Sequence, residues 1–187
     1  MRILINGLPF FGRRLAEDLS EVDPDSRFDF VDTYYSFKDR LRFLALLPFA
    51  DAVISMNGVT DRSGSMDAVL RLRKRLIMQW QGTDAILAME RSKNGTIERR
   101  YIDHAVHLTD SPWLMEEVSS LNLRPIYGYF KGVGRTRPVE SYKKLSAISY
   151  IAQNRQEFYG IKRVLELARK FPEVEFNIYG AESTDYT

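Results

Sequence analysis

Cysteine is absent from the chain, which excludes a disulfide framework, a thiolate metal site and a cysteine nucleophile, and suits a reducing cytoplasm. Histidine is scarce. His104 and His107 are the two present, too few for a histidine-built cage, so neither a metal nor a cofactor is expected. The opening apolar run Ile3, Leu4, Ile5 breaks at Asn6, and nothing approaches the roughly 20 apolar residues that span a bilayer. An excess of one charge is also missing: 27 basic residues face 25 acidic ones, and a net charge of +2 gives no reason to expect nucleic acid as a partner. What is present is a chain of 187 residues, 44% hydrophobic, long enough to bury one core and part of another.

Short β-rich runs alternate with helical patterns from end to end. RILIN (2–6), RFDFV (27–31), AVIS (52–55), LIMQW (76–80), AVHLT (105–109) and RPIYGY (124–129) read as six strands. Between them lie helical faces such as Phe11, Leu15 and Leu19, or Leu114, Met115 and Val118. Ser65, Thr83 and Ser111 are the expected N-caps, Pro112 takes a first helical position, and Asn94-Gly95 ends a helix through a left-handed residue. Strands alternating with helices require crossovers, hence a doubly wound parallel α/β sheet over residues 1–130. Periodicity is lost over 131–144, which reads as a linker. Residues 145–187 then supply a strand, a helix with Ile161, Val164, Leu165 and Ala168 on one face, and a second strand, too little for an independent core. Either this unit docks on the first sheet or the chain is the front of a longer protein.

Ligands of open parallel sheets gather beyond the carboxyl ends of the strands. The first such loop, NGLPFFG, offers Phe11 and Gly12 beside a helix start, but lacks the GxGxxG spacing of a dinucleotide fingerprint. Asn57 follows the third strand, Gly82 the fourth, and Asp110 and Ser111 the fifth; with Phe11 and Gly12 these are the candidate substrate-binding positions.

The run RLIMQWQGTD (75–84) resembles the W-x-G-[ST]-D strand end of family 4-like glycosyltransferases of the GT-B fold, which faces the cleft between two Rossmann-like lobes. SPWLMEEV (111–118) is similar to the segment after the next strand in that family, and residues 154–180 to the start of its donor-binding lobe. The resemblance implies a retaining glycosyltransferase whose amino lobe binds a saccharide or lipid-linked acceptor, and whose second lobe binds a nucleotide diphosphate sugar. It also implies that 1–130 is the acceptor lobe and 145–187 the first β-α-β unit of the donor lobe. Departures are specific: Asn154 and Tyr159 occupy the family's phosphate-binding arginine and lysine positions, and Gln81 stands where many members carry histidine. Arg155 and Lys162 are then the cations offered to a diphosphate, with a solvated surface as the alternative.

Asp84 is the candidate catalytic carboxylate, and its alternative role is a negative charge at a helix start. FKDRLRFLALLPF (37–49) interleaves Lys38, Arg40 and Arg42 with leucines and phenylalanines, so it either covers the sheet or lies at the inner face of a membrane as a peripheral contact of a cytoplasmic protein. Two rival readings stay open: a non-catalytic Rossmann-like binding module, and a nucleotide-binding oxidoreductase domain with Asp32 after its second strand.

Overall fold

The computed structural model describes residues 1–128, 145–153 and 156–180. The chain divides into two compact units, Met1–Gly134 and Arg135–Thr187. In the first, a six-stranded parallel sheet has the order β2-β1-β3-β4-β5-β6. Its elements are β1 (Arg2–Asn6), α1 (Pro9–Val22), β2 (Arg27–Val31), α2 (Phe37–Leu46), β3 (Ala52–Ser55), α3 (Gly64–Arg71), β4 (Arg75–Gln79), α4 (Thr83–Lys93), α5 (Arg99–His104), β5 (Val106–Thr109), α6 (Pro112–Ser119) and β6 (Ile126–Tyr127), with a 3₁₀ turn Leu47–Phe49 after α2. The α/β architecture is therefore as the alternation predicts.

Side-chain alternation with a period of two sorts each strand between two cores. Leu4, Val53, Leu76, Met78 and Trp80 face one layer, closed by Phe43 of α2, Val69 of α3, Ala88 of α4, Ile102 of α5 and Val118 of α6. Ile3, Ile5, Ala52 and Ile54 face the other, closed by Leu15 and Ala16 of α1. Strands buried on both faces need nearly continuous apolar runs, and RILIN and AVIS supply them.

Several local expectations are corrected. The third helix is capped by Ser63 rather than Ser65, because the Ser63 hydroxyl accepts from Met66 N at 3.4 Å and starts the helix at Gly64. Thr83 is the first helical residue rather than the cap: Gly82 holds the N-cap position at φ +109°. Ser111 does stand at the N-cap of α6, although its side chain makes no capping bond. Phe11 leaves the α1 apolar face, lying exposed and edge-on to Phe10 in the first turn. The sixth strand is only two residues long.

In the second unit β7 (Ser146–Tyr150) pairs in parallel with β8 (Glu175–Tyr179), and α7 (Ile161–Lys170) connects them. Ile161 is buried, Val164, Leu165 and Ala168 are half-buried, and the helix stops at Phe171, immediately before Pro172. Among the described residues no helix is long and apolar enough to cross a membrane.

Candidate functional site

The chain runs from β1 outward to β2 and then back across to β3, so the direction of winding reverses between β1 and β3. Crevices in open α/β sheets form at that reversal, beyond the carboxyl ends of the strands. Here the strand ends are tightly wired. Met56 N donates to Asn6 O at 2.7 Å, and Gly7, at φ +118°, lets the two chains close: a Cβ there would stand 3.0 Å from Met56 backbone and the Asn57 side chain. Thr33 Oγ1 donates to Asn6 Oδ1, and Asn57 Nδ2 donates to Tyr34 Oη, so the loop after β2 is tied to the ends of β1 and β3. Asp32 accepts from Tyr34 N and Tyr35 N at 3.0 Å each, while Arg40 donates to Thr33 O at 2.7 Å and Tyr34 O at 3.0 Å. Asp32 thereby serves its own loop. Burial, with the charges of Asp61 and Asp84 adding to it, pushes the Tyr34 phenol up from its ordinary range.

Asp84 is the hub of the β4 end. Its Oδ1 accepts from Gln81 N at 3.0 Å, Gly82 N at 2.9 Å and Ala85 N at 3.1 Å, and its Oδ2 accepts from Gly58 N at 2.5 Å. The carboxylate closes its own turn and clamps it to the loop after β3. Burial pushes its pKa up, against the pull of these four N–H groups. The structure shows Asp84 at a helix start, the alternative the sequence offered for it, with both oxygens bonded to backbone N–H groups.

Trp80, the aromatic of the same run, points the other way. Its side chain is fully buried, because Leu76, Met78 and Trp80 alternate onto the helix-covered face. Its Nε1 donates to His107 Nδ1 at 3.1 Å, and His107 Nε2 donates to Ile102 O at 2.8 Å. Both ring nitrogens are used by a neutral imidazole, and burial holds its pKa below the usual histidine value. Gly58 admits the indole: a Cβ there would fall 2.2 Å from the ring.

The structure therefore brings together Asn57, Gly82 and Asp84, joined by Tyr34, which the sequence did not single out. Gly12 is a packing position, with the Phe30 ring 2.4 Å from where a Cβ would stand. Asp110 and Ser111 end β5, two strands along from β3. Lys162 belongs to the second unit and pairs with Glu157 at 2.9 Å; Arg155 lies outside the described residues. Among the described residues no group of three or more histidine or carboxylate side chains is placed to hold a metal ion. Gln79 Oε1 and Thr109 Oγ1, at the ends of β4 and β5, are buried without a partner among the described residues.

Beside this wiring opens a cavity of about 490 Å³, between α2, the end of β1 and the loop that leads into α3. None of the candidate catalytic, substrate-binding or phosphate-binding positions lines it, although Arg40, Leu41 and Leu44 of the basic amphipathic segment do. Asn6, Thr33, Tyr34 and Ser63 contribute polar groups, and Phe37, Leu41 and Leu44 of α2 an apolar wall.

No protein-family model matches the sequence, and no curated protein matches it. Among solved structures the chain is similar to the periplasmic binding protein component of the arabinose ABC transporter from Shewanella sp. ANA-3 bound to alpha and beta-L-arabinofuranose, at 7% identity and a TM-score of 0.36. The likeness covers 95% of this chain and 54% of that one, so the chain spans about half the length of that protein. At so low a score it carries no weight for fold or ligand.

Proposed function

We propose that the six-stranded unit is the acceptor-binding lobe of a GT-B glycosyltransferase, which transfers sugar from a nucleotide diphosphate sugar to a saccharide or lipid-linked acceptor. The observation that carries the reading is the Asp84 clamp, because it fixes the QGTD turn against the neighbouring strand-end loop at the reversal of winding. Such a clamp holds the backbone of both loops in one geometry, and orientation is what this chemistry requires of a protein. Stabilisation of the departing diphosphate supplies the other main part of catalysis. Arg155 and Lys162 are the cations proposed for it, with Lys162 exchanging Glu157 for phosphate. Retention of anomeric configuration, and a cytoplasmic site of action at the inner membrane face, follow from the resemblance.

The test is sugar transfer by the complete reading frame that carries this sequence, assayed with uridine, guanosine and adenosine diphosphate sugars. Transfer from one of them, with the isolated 187-residue chain inactive and binding the diphosphates only weakly, is the expected result. No turnover by the complete protein, together with micromolar diphosphate affinity in the isolated chain, would refute the reading.

A further inference from the structure

We infer that the cavity beside α2 is the site of an amphiphile, a hydrocarbon chain carrying a hydroxylated head of the saccharide kind. Its role as the acceptor site rests on the glycosyltransferase reading, whereas the binding site itself stands on the cavity.

The head is specified by the floor. Asn6 is only 1% exposed, yet it lines the cavity. Its Oδ1 accepts from Thr33 Oγ1, so the amide N–H groups are what its side chain can still offer. An amide N–H at a cavity wall is matched by an acceptor oxygen of the occupant. Around it Thr33 and Ser63 offer further hydroxyls, and Asp61 offers an acceptor although it also pairs with Arg91 at 3.0 Å. This mixture of donors and acceptors matches hydroxyl groups, which both give and accept. A phosphate fits less well, because Arg40 is already bonded to Thr33 O and Tyr34 O, and the charge of Asp61 offsets that of Arg62.

The tail is specified by α2. A helix that only covered a sheet would turn its large apolar side chains inward, but Phe43 is the one fully buried residue of α2. Phe37, Leu41 and Leu44 line the cavity and are 72%, 55% and 46% exposed. Sugars stack on aromatic faces and gain little from leucine, whereas an alkyl chain gains about 0.8 kcal/mol for each buried CH₂. The leucines therefore favour a hydrocarbon over a second saccharide unit.

The experiment titrates the 187-residue chain, by calorimetry below micelle-forming concentrations, with octyl glucoside, methyl glucoside, dodecyl phosphate and dodecyltrimethylammonium. Octyl glucoside should bind at least tenfold more tightly than methyl glucoside, and Leu41→Gln and Leu44→Gln, both at exposed positions, should each remove most of that advantage. Asn6→Ala should weaken octyl glucoside tenfold; should it fail to fold, Thr33→Val reads the same head contacts. Equal affinity for the two glucosides would overturn the tail assignment. Dodecyl phosphate or dodecyltrimethylammonium binding more tightly than octyl glucoside would overturn the head assignment. Binding to phosphatidylglycerol vesicles without binding of monomeric octyl glucoside would replace the cavity by a membrane-surface role for α2. Amphiphile binding without any sugar transfer by the complete protein would leave the cavity standing and remove the glycosyltransferase reading, so the two failures are distinguishable.

Discussion

A carboxylate accepting four backbone N–H bonds is poorly replaced by an amide, because one of its oxygens becomes a second donor pointed at donors. Asp84→Asn should therefore destabilise the first unit by about 1–3 kcal/mol, the range for leaving buried polar groups unsatisfied. Chemical denaturation checks this, and a midpoint unchanged from wild type would mean that the clamp contributes little to the folded state. His107 makes a second residue-scale prediction, with a definite pH sign. Its imidazole is held neutral between Trp80 Nε1 and Ile102 O, and burial depresses its folded pKa below the unfolded value of 6.5. The stability tied to the neutral ring is complete above about pH 6.5 and is lost as pH falls below it, because the unfolded chain then binds the extra proton. The unfolding free energy between pH 8 and pH 5, from chemical denaturation, should thus fall more steeply for the wild type than for His107→Gln, by at most about 1.4 kcal/mol per pH unit. Identical slopes would assign the titration to other groups.

At the scale of elements, two glycines of neighbouring strand-end loops are required for different reasons. Gly58 is required for space, since the Trp80 ring lies 2.2 Å from any Cβ placed there. Gly82 is required for conformation: nothing lies within 4 Å of its Cβ position, but its φ of +109° strains any L side chain. Gly58→Ala and Gly82→Ala should each cost about 1–3 kcal/mol, the first by overpacking and the second by backbone strain. A double-mutant cycle with Trp80→Leu separates them: the Gly58 penalty should shrink in that background and the Gly82 penalty should not. Equal coupling of both glycines to Trp80 would contradict this division. The same loops show how far sequence reading reached. The strands were legible because two covered faces demand continuous apolar runs, and the QGTD turn because glycine, threonine and aspartate at a strand end form a local pattern. The burial of Trp80 was readable only through parity, as Leu76 and Met78 point to the same face. Helix α5 spans six residues, too few to display a period. The cavity left no local trace, since Asn6, Leu41 and Ser63 meet only through the crossovers that bring β1, α2 and the α3 loop together.

At the scale of the whole molecule, the two units differ in how their parallel strands are covered. Parallel sheets persist when both faces are buried, and the six-stranded sheet has a helical layer or helix on each. In the second unit α7 is the helix that joins β7 to β8, and Ile148, Tyr150 and Tyr179 remain exposed. In register, Tyr150 pairs with Tyr179 and Ile148 with Asn177, so these side chains share one sheet face with little apolar cover. Opening this pair therefore exposes less additional apolar surface than opening β1 or β3, and local opening free energy follows that difference. Hydrogen exchange under native conditions should show amides of 146–150 and 175–179 exchanging at least tenfold faster, after correction for intrinsic rates, than those of Arg2–Asn6 and Ala52–Ser55. A tenfold difference corresponds to about 1.4 kcal/mol in opening free energy. Equal protection in both sets would mean that the exposed tyrosine face does not limit the stability of the second unit, and that the two units open as one.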